Sequence, residues 1–494
     1  PNSESKLRSF PARFLHEDEI DVYPQRIVKG GNDTGDTLKK AERRTDSYGN
    51  LKKIMGGSTP KNEGSSRIIR KVEEGTKEFY NIRCPKCNFQ QPLVWNQLKW
   101  DKTDDGKPDI QYSNINGVET ISKDPTYYLC IADGCGHRIR DNEKLEIMQE
   151  VGHGGTAEWI PTKKPDRPFV RSFSIPGWYG FRSWLEIALE FEQVKDDPFL
   201  LPDFVNDVMG EVWRESEFKP DDNYLMQLSQ EYEQWPIGHI KKEVLLLTLA
   251  CDVQKDRIEA GLMGWCRHKQ GYMIDYWTFE GNPAEVENKC WKNLSEKIMA
   301  FYKREDGQQL SVMTAFIDSQ YLSDTVDLFC AGFPYADGSI AGVYPVQSRE
   351  TQDKIVKEFS SNIKTPVVGL HDQELKRALY NVLRKKPQGP GMYPGYYLHF
   401  SHEYGQDFYK QLTSEEIVPI KIKGVQKGIK ILNTKQRRNE VLDVVKMNMG
   451  ALQFCMDRYF DILNKSEKSQ KRRLTQEDSS VFFDVVENMI YSEE

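Results

Sequence analysis

The spacing of apolar positions divides the chain into a front part with short, broken apolar runs and a back part where longer ones follow closely. From about residue 243, "VLLLTLACDVQ", "RIEAGLMGWC" and "YMIDYWTFEG" are three runs of strand length joined by the short polar links "KD" and "RHKQG". Such runs predict three strands in a meander. "PAEVENKCWKNLSEKIMAFY" then has helical spacing with Pro283 in its first turn, "SVMTAFIDSQ" predicts a fourth strand, "SDTVDLFCAG" a short helix closing on Gly332, and "GVYPVQ" a fifth strand. "NEVLDVVKMNMGALQFCMDRYFDIL" predicts a long, mostly apolar helix. The stretch after 465, "KSEKSQKRRLTQEDSS", has no apolar face and predicts a mobile charged tail.

The front part is less regular. "ARFLHEDEIDVYP" predicts a short strand ending in acids, and "IMGGSTPKNEGSSR" a strand that breaks into a polar Gly/Ser loop. Residues 76–150 carry two close cysteine pairs, Trp95, Trp100 and the polar connector "DKTDDGKPD". Residues 151–240 are mixed, with one amphipathic helix, "SWLEIALEFEQV", whose Leu185, Ala188, Leu189 and Phe191 share a face. The expected organisation is an α/β chain with blocks at 1–75, 76–150, 151–240 and 241–465 and a tail at 466–494.

Composition narrows the function. A chain of 494 residues can build two to four domains. With 68 basic and 75 acidic residues the net charge is −7, so a polyanion could be held only by a local patch. No apolar run approaches the ~20 residues that cross a bilayer, and "PNSESKLRSF" lacks the pattern of a secretory leader. A start on Pro rather than Met leads us to expect a fragment or a processed product. Nine cysteines in so long a chain are no disulfide scaffold, and two close pairs point to metal binding in a reducing, cytosolic compartment.

Two of the predicted buried strands end on a carboxylate, Asp252 and Asp318. Three antiparallel strands, a helix, then parallel strands alternating with helices is the element order of the ribonuclease-H-like fold. There the first and fourth strands are neighbours, so both acids would meet in one site. The third acid of that arrangement comes from a late helix, where Asp443 interrupts "EVLDVVKM" and Glu440, one turn earlier, competes. Clustered carboxylates repel one another unless cations lie between them. Two Mg²⁺ or Mn²⁺ ions about 3.5–4 Å apart could then activate water and stabilise the leaving alkoxide in phosphodiester hydrolysis. Taken singly, an aspartate at a strand end is more commonly a turn or cap residue.

Before Asp443 lies "KIKGVQKGIKILNTKQRRN", in which Lys421, Lys423, Lys427, Lys430, Lys435, Arg437 and Arg438 occur without an acid. It reads as a solvated hairpin or as a patch that tracks DNA phosphates. "CPKC" (Cys84, Cys87) and "CIADGCGH" (Cys130, Cys135) have the pairing of a zinc ribbon, with His137 an alternative fourth ligand to Cys135; a closed four-ligand Zn²⁺ site would be structural. Cys251, Cys266, Cys290, Cys330 and Cys455 lie inside apolar runs and read as small core residues.

"FLHEDEID" resembles a Walker B strand, and "GGSTP" looks like the coupling loop that follows such a strand in additional-strand motor ATPases. The succession "DEID…YP", "STP…GSSRI", "CPKC…QPLVW", "YLC…C", "FVNDVMGEVW", "CDVQKDRIE", "FIDSQ", "RNEVLDV" resembles the large terminase subunit of tailed phages, lambda-like branch, over about residues 5–460. That resemblance implies a partial P-loop ATPase core with a zinc-ribbon-like insert, followed by a ribonuclease-H-like nuclease. It implies Asp252, Asp318 and Asp443 as nuclease metal ligands, Asp18 holding Mg²⁺ and Glu19 activating water for ATP hydrolysis, and Ser58 and Thr59 as coupling residues. It also implies double-stranded DNA, a small terminase subunit and a procapsid portal as partners, a homo-oligomer on the portal, and work in the bacterial host cytoplasm. One departure is plain: no G-x-x-x-x-G-K-[ST] occurs, so ATP binding is expected only with a phosphate-loop segment supplied from elsewhere. The acid layout alone also suits a transposase, integrase or resolvase, and the cysteines alone a zinc-ribbon assembly protein with an inactive nuclease domain.

Overall fold

The computed structural model describes residues 11–23, 26–29, 32–61, 66–104, 106–115, 118–214, 219–333, 342–360, 365–389, 391–422, 425–466 and 478–491. The chain divides into two compact α/β units, one comprising residues 1–195, 200–214 and 421–428, the other 196–199, 215–420 and 429–494.

In the second unit the predicted meander forms: β1 (Leu246–Val253), β2 (Arg257–Trp265) and β3 (Gly271–Glu280) pair antiparallel in sequence. β4 (Gln309–Asp318) lies parallel on the other side of β1, and β5 (Gly342–Ser348) parallel beside β4. β6 (Val356–Phe359) and β7 (Val367–Leu370) extend that edge, and β8 (Leu398–Phe400) the other, giving the order β6-β7-β5-β4-β1-β2-β3-β8. Every residue of β1 is buried, which is why its sequence reads as an unbroken apolar run rather than an alternating one.

Helices cover both faces. α1 (Lys289–Met299) and α2 (Ser323–Ala331) pack on one; α3 (Asp372–Leu383), α4 (Gln406–Leu412) and α5 (Glu440–Ser466) belong to the core of the other. Strand alternation sorts the side chains between them. Leu247, Leu249 and Cys251 of β1 and Ala315 and Ile317 of β4 join the α1–α2 core; Leu246, Ala250 and Phe316 join the α5 core. Asp252 and Asp318 share the parity of Leu246, Ala250 and Phe316, so both strands deliver their acids to the α5 side.

α5 is fixed in register by a polar clamp. Asn448 accepts from the Thr248 hydroxyl (2.7 Å) and donates to the Gly261 carbonyl (3.1 Å), and Trp265 Nε1 donates to the same hydroxyl (2.8 Å). Gly261 lets the helix approach: a Cβ there would stand 2.6 Å from Val444 Cγ1 and 2.5 Å from Met273 Cε. Met273 can swing away, but the β-branched Val444 on a seated helix cannot. Gly261→Ala is therefore expected to cost about 1–3 kcal/mol by overpacking, read from urea unfolding; an unchanged midpoint would mean α5 is seated more loosely than this.

Two expectations are corrected. The helix predicted from Pro283 starts at Lys289, where the Asn288 side chain caps it by accepting from the Cys290 amide. The charged stretch expected as a tail leads into α6 (Ser479–Tyr491), whose Phe482 and Phe483 are buried in the α5 core; two adjacent aromatics behind a basic run were the overlooked signal.

In the first unit, strand Phe14–Glu17 pairs parallel with Lys53–Gly56, and helix Arg67–Glu74 follows. Strand Glu78–Arg83 pairs with Glu158–Pro161, and strands Leu98–Trp100, Thr126–Leu129 and Arg138–Ile139 form a second sheet. The predicted amphipathic helix spans Trp184–Val194 and buries Trp184, Leu185, Ile187, Ala188 and Val194; Leu189, expected on that face, is instead 36 % exposed. Among the described residues no helix is long and apolar enough to cross a membrane.

Candidate functional site

β1 and β4 run parallel with Cys251 opposite Ile317, so Asp252 and Asp318 finish level at the same end of the sheet. Their carboxylates lie close enough for the charge of each to act on the other. Asp443, in the first turn of α5, faces the same cavity as Asp318, together with Lys446, Ser348 and Gln320. Burial, and then the charges of Asp443 and Asp318, push Asp252 well above the ordinary carboxylate range. Burial also raises Asp318, offset in part by the Gln320 amide donating to it at 3.1 Å. The three aspartates therefore lie near one another at one end of the sheet, as a largely buried group of like charge.

Each has a fixed orientation. Gln254 Nε2 donates to Asp252 Oδ2 at 2.6 Å, while Asp443 accepts from Asn439 Nδ2 at 2.9 Å and from Lys446 Nζ at 2.5 Å. Glu440, the competitor for the third position, has cationic partners: Arg257 donates to it at 2.7 Å, and Arg438 lies 3.4 Å away. The same two guanidinium groups bind the buried Glu259, each at 2.6 Å, so this carboxylate pair is already neutralised. Sequence reading missed Gln254, Lys446 and Asp372. The first could have been found from its two-residue spacing to Asp252; the others carried no local signal.

The basic run forms the expected hairpin, strands Glu416–Ile422 and Val425–Leu432. Lys423 lies outside the described residues, and Lys421 and Lys427 are described in backbone only. Acids distant in sequence meet several of the others: Lys430 pairs with Glu350 and Lys435 with Glu416, both at 3.0 Å, and Arg438 with Glu259. Arg437 uses its backbone to close a turn with the Asn433 side chain. The run is thus less free in charge than its composition suggests.

In the first unit Asp18 and Glu19 follow the strand end and are exposed. The Ser58 hydroxyl donates to Glu19 Oε2 at 3.2 Å and to the Thr59 carbonyl at 2.9 Å, which joins the Gly/Ser loop to the acids. Two neighbours were missed. Asp21 accepts from the Arg67 and Ile68 amides (2.5 and 2.9 Å), tying the acidic turn to the next helix. Glu17 is buried with neither carboxylate oxygen hydrogen-bonded, and burial lifts it to about 7.

Cys84, Cys87, Cys130 and Cys135 place their sulfurs within 4.8 Å of one another, the one such group of three or more metal-binding donors among the described residues. Cys84 and Cys135 Sγ are 3.9 Å apart and Cys87 and Cys130 Sγ 3.7 Å. These separations exclude disulfides, whose sulfurs lie about 2.05 Å apart. They match the edge of about 3.8 Å in a tetrahedron with Zn–S bonds of about 2.3 Å. His137 stands outside the four-sulfur group, its carbonyl accepting from the Cys130 amide. The five remaining cysteines are buried, as expected of core residues.

Comparison with known proteins agrees with both halves. Residues 170–459 match the family described as terminase large subunit gpA, endonuclease domain, and residues 1–159 the phage terminase large subunit gpA, ATPase domain. The chain is 24% identical over 492 residues to the terminase large subunit of Enterobacteria phage P21, covering 93% of this chain and 70% of that protein. It is 24% identical over 432 residues to that of Escherichia phage lambda, covering 82% of this chain and 62% of the lambda protein, less than two thirds of its length. With one family model spanning more than half of the chain and a second most of what precedes it, this chain belongs to the gpA family of phage terminase large subunits.

Proposed function

We propose that the second unit is a divalent-metal-dependent endonuclease that cuts concatemeric double-stranded DNA, and that the chain serves in an ATP-driven genome-packaging motor. The observation that carries the reading is the meeting of Asp252, Asp318 and Asp443 from two adjacent parallel strands and a late helix. The order β5-β4-β1-β2-β3 with three antiparallel strands supports a ribonuclease-H-like assignment. Buried carboxylates of like charge suit two hard cations, Mg²⁺ or Mn²⁺, with Asp252, Asp318 and Asp443 as ligands. Bound there, the ions would supply a nucleophilic water near neutral pH and stabilise the leaving oxygen. The protein's own part is positional: Gln254 aims Asp252, the Gln320 amide aims Asp318, and Asn439 with the α5 clamp sets Asp443.

Mn²⁺ binding is expected to release protons and to weaken as pH falls, because the raised carboxylates hold their protons above the ordinary range. Calorimetry in buffers of different ionisation enthalpy measures this, and binding without proton release would put the ions elsewhere. The function itself is tested by Mn²⁺-dependent nicking of supercoiled plasmid by the full chain; no nicking above a chelator control would sink it.

For the first unit we infer a structural Zn²⁺ on Cys84, Cys87, Cys130 and Cys135. We further infer ATP-linked roles for Asp18 and Glu19 (Mg²⁺ and attacking water) and for Ser58 and Thr59 (coupling), once a phosphate loop is supplied. The Ser58–Glu19 hydrogen bond supports the coupling role, since a loop bonded to the water-activating acid can sense its state. Cations of the 421–438 hairpin would contact DNA phosphates. A small subunit, a portal, a homo-oligomer on that portal and the host cytoplasm complete the proposal by family likeness.

A further inference from the structure

Lys446 has an unusual position. It lies one turn beyond Asp443 on α5, is 6 % exposed, and lines the cavity that Asp318 and Asp443 face. Its ammonium reaches Asp443 Oδ1 at 2.5 Å and is also hydrogen-bonded to Asp372 Oδ1. Asp372, in the first turn of α3, is in turn paired at 3.0 Å with Lys376, which also lies 2.9 Å from Glu415. A buried ammonium is costly unless carboxylates compensate it, and a buried carboxylate likewise. Five acids, Asp252, Asp318, Asp443, Asp372 and Glu415, here adjoin two lysines. The excess of negative charge collects around Asp252, Asp318 and Asp443. Lys446 is the one lysine that touches both groups: an acid of the cavity on one side, an acid outside it on the other.

We propose that Lys446 is the resident counter-ion of the nuclease site, neutralising Asp443 when no divalent ion is present and withdrawing onto Asp372 when one arrives. This rests on the metal-dependent reading above. The side chain needs little travel, because Nζ already bonds both carboxylates and sits on a flexible four-carbon stem. Asp372 is a suitable receiver: the N-terminal turn of a helix favours a carboxylate, and Lys376 holds it in place. Lys446 thus competes with the metal and is a positioning residue acting through Asp443. A simple strut would have the opposite signature, since removing it would loosen Asp443 and weaken metal binding.

The test is Mn²⁺ calorimetry on the zinc-loaded full chain, with thermal melting before and after Mn²⁺. Lys446→Met is expected to bind Mn²⁺ about tenfold tighter, the scale on which groups behind the ligands tune metal affinity. Its metal-free form should melt lower and recover more on adding Mn²⁺. Asp372→Asn should do the reverse, binding Mn²⁺ several-fold more weakly because Lys446 then has Asp443 alone. Weaker or unchanged binding in Lys446→Met, or tighter or unchanged binding in Asp372→Asn, overturns the counter-ion role while leaving the metal reading intact. A parent protein that binds no Mn²⁺ overturns both. Should Lys446→Met fail to fold, the direction of the Asp372→Asn shift decides alone.

Discussion

Asp252→Asn is expected to lower Mn²⁺-dependent plasmid nicking by about 10²–10³-fold or more, equivalent to ~3–4 kcal/mol of lost transition-state stabilisation. Asparagine keeps the shape and can still accept from Gln254, but removes the charge from the most buried of the three ligands. Two carboxylates cannot balance two dications, so the cost falls on the ions rather than on the fold. Stability should move the other way. The carboxyl at 252 is buried among like charges that disfavour its ionisation, and a neutral amide relieves that, so the metal-free variant should melt at or above the parent temperature. The pairing of lost cutting with retained or raised stability separates a ligand from a turn residue. A variant that nicks at the parent rate would remove Asp252 from the site.

The second large effect concerns the cysteines. Structural Zn²⁺ binding is worth ~10–16 kcal/mol, and that binding energy is folding energy. The strands between and after the cysteine pairs are short, and burial pushes the Cys84 thiol up to about 12, so this sulfur becomes a thiolate only with a cation beside it. Stripping zinc with a strong chelator, or replacing Cys84 with Ser, is expected to unfold the cysteine-bearing part of the first unit and expose residues 76–150 to protease. One zinc per chain by elemental analysis should accompany the intact protein. Protein that contains no zinc and resists the chelator would refute the site.

Much of this was legible in the residues, because strand periodicity and burial are local. The meander, the fourth and fifth strands and the long helix could each be read from runs of apolar residues, and Asp252 and Asp318 stood out as charges ending such runs. Ligand spacing likewise marked the cysteines, although the choice between Cys135 and His137 needed the positions of the sulfurs. What could not be read is what depends on pairing across the fold. Lys446 and Asp372 look like ordinary helix-surface residues in the chain, and only the seating of α5 beside α3 joins them. Glu440 and Asp443 are indistinguishable by spacing; only the fold pairs Glu440 with Arg257 and Arg438 and turns Asp443 to the cavity. The hairpin cations looked unopposed because their acids, Glu350 and Glu259, come from other elements.

The clamp between Asn448 and the first two strands also bears on when the molecule becomes capable of damage. During synthesis β1 and β4 with Asp252 and Asp318 emerge well before α5, and Asp443 is set in place only once that helix docks. A nascent or truncated chain lacking residues beyond 440 would hold an open sheet end with two of the three aspartates. On the proposed reading, the potential to break DNA is withheld until α5 has been made and seated.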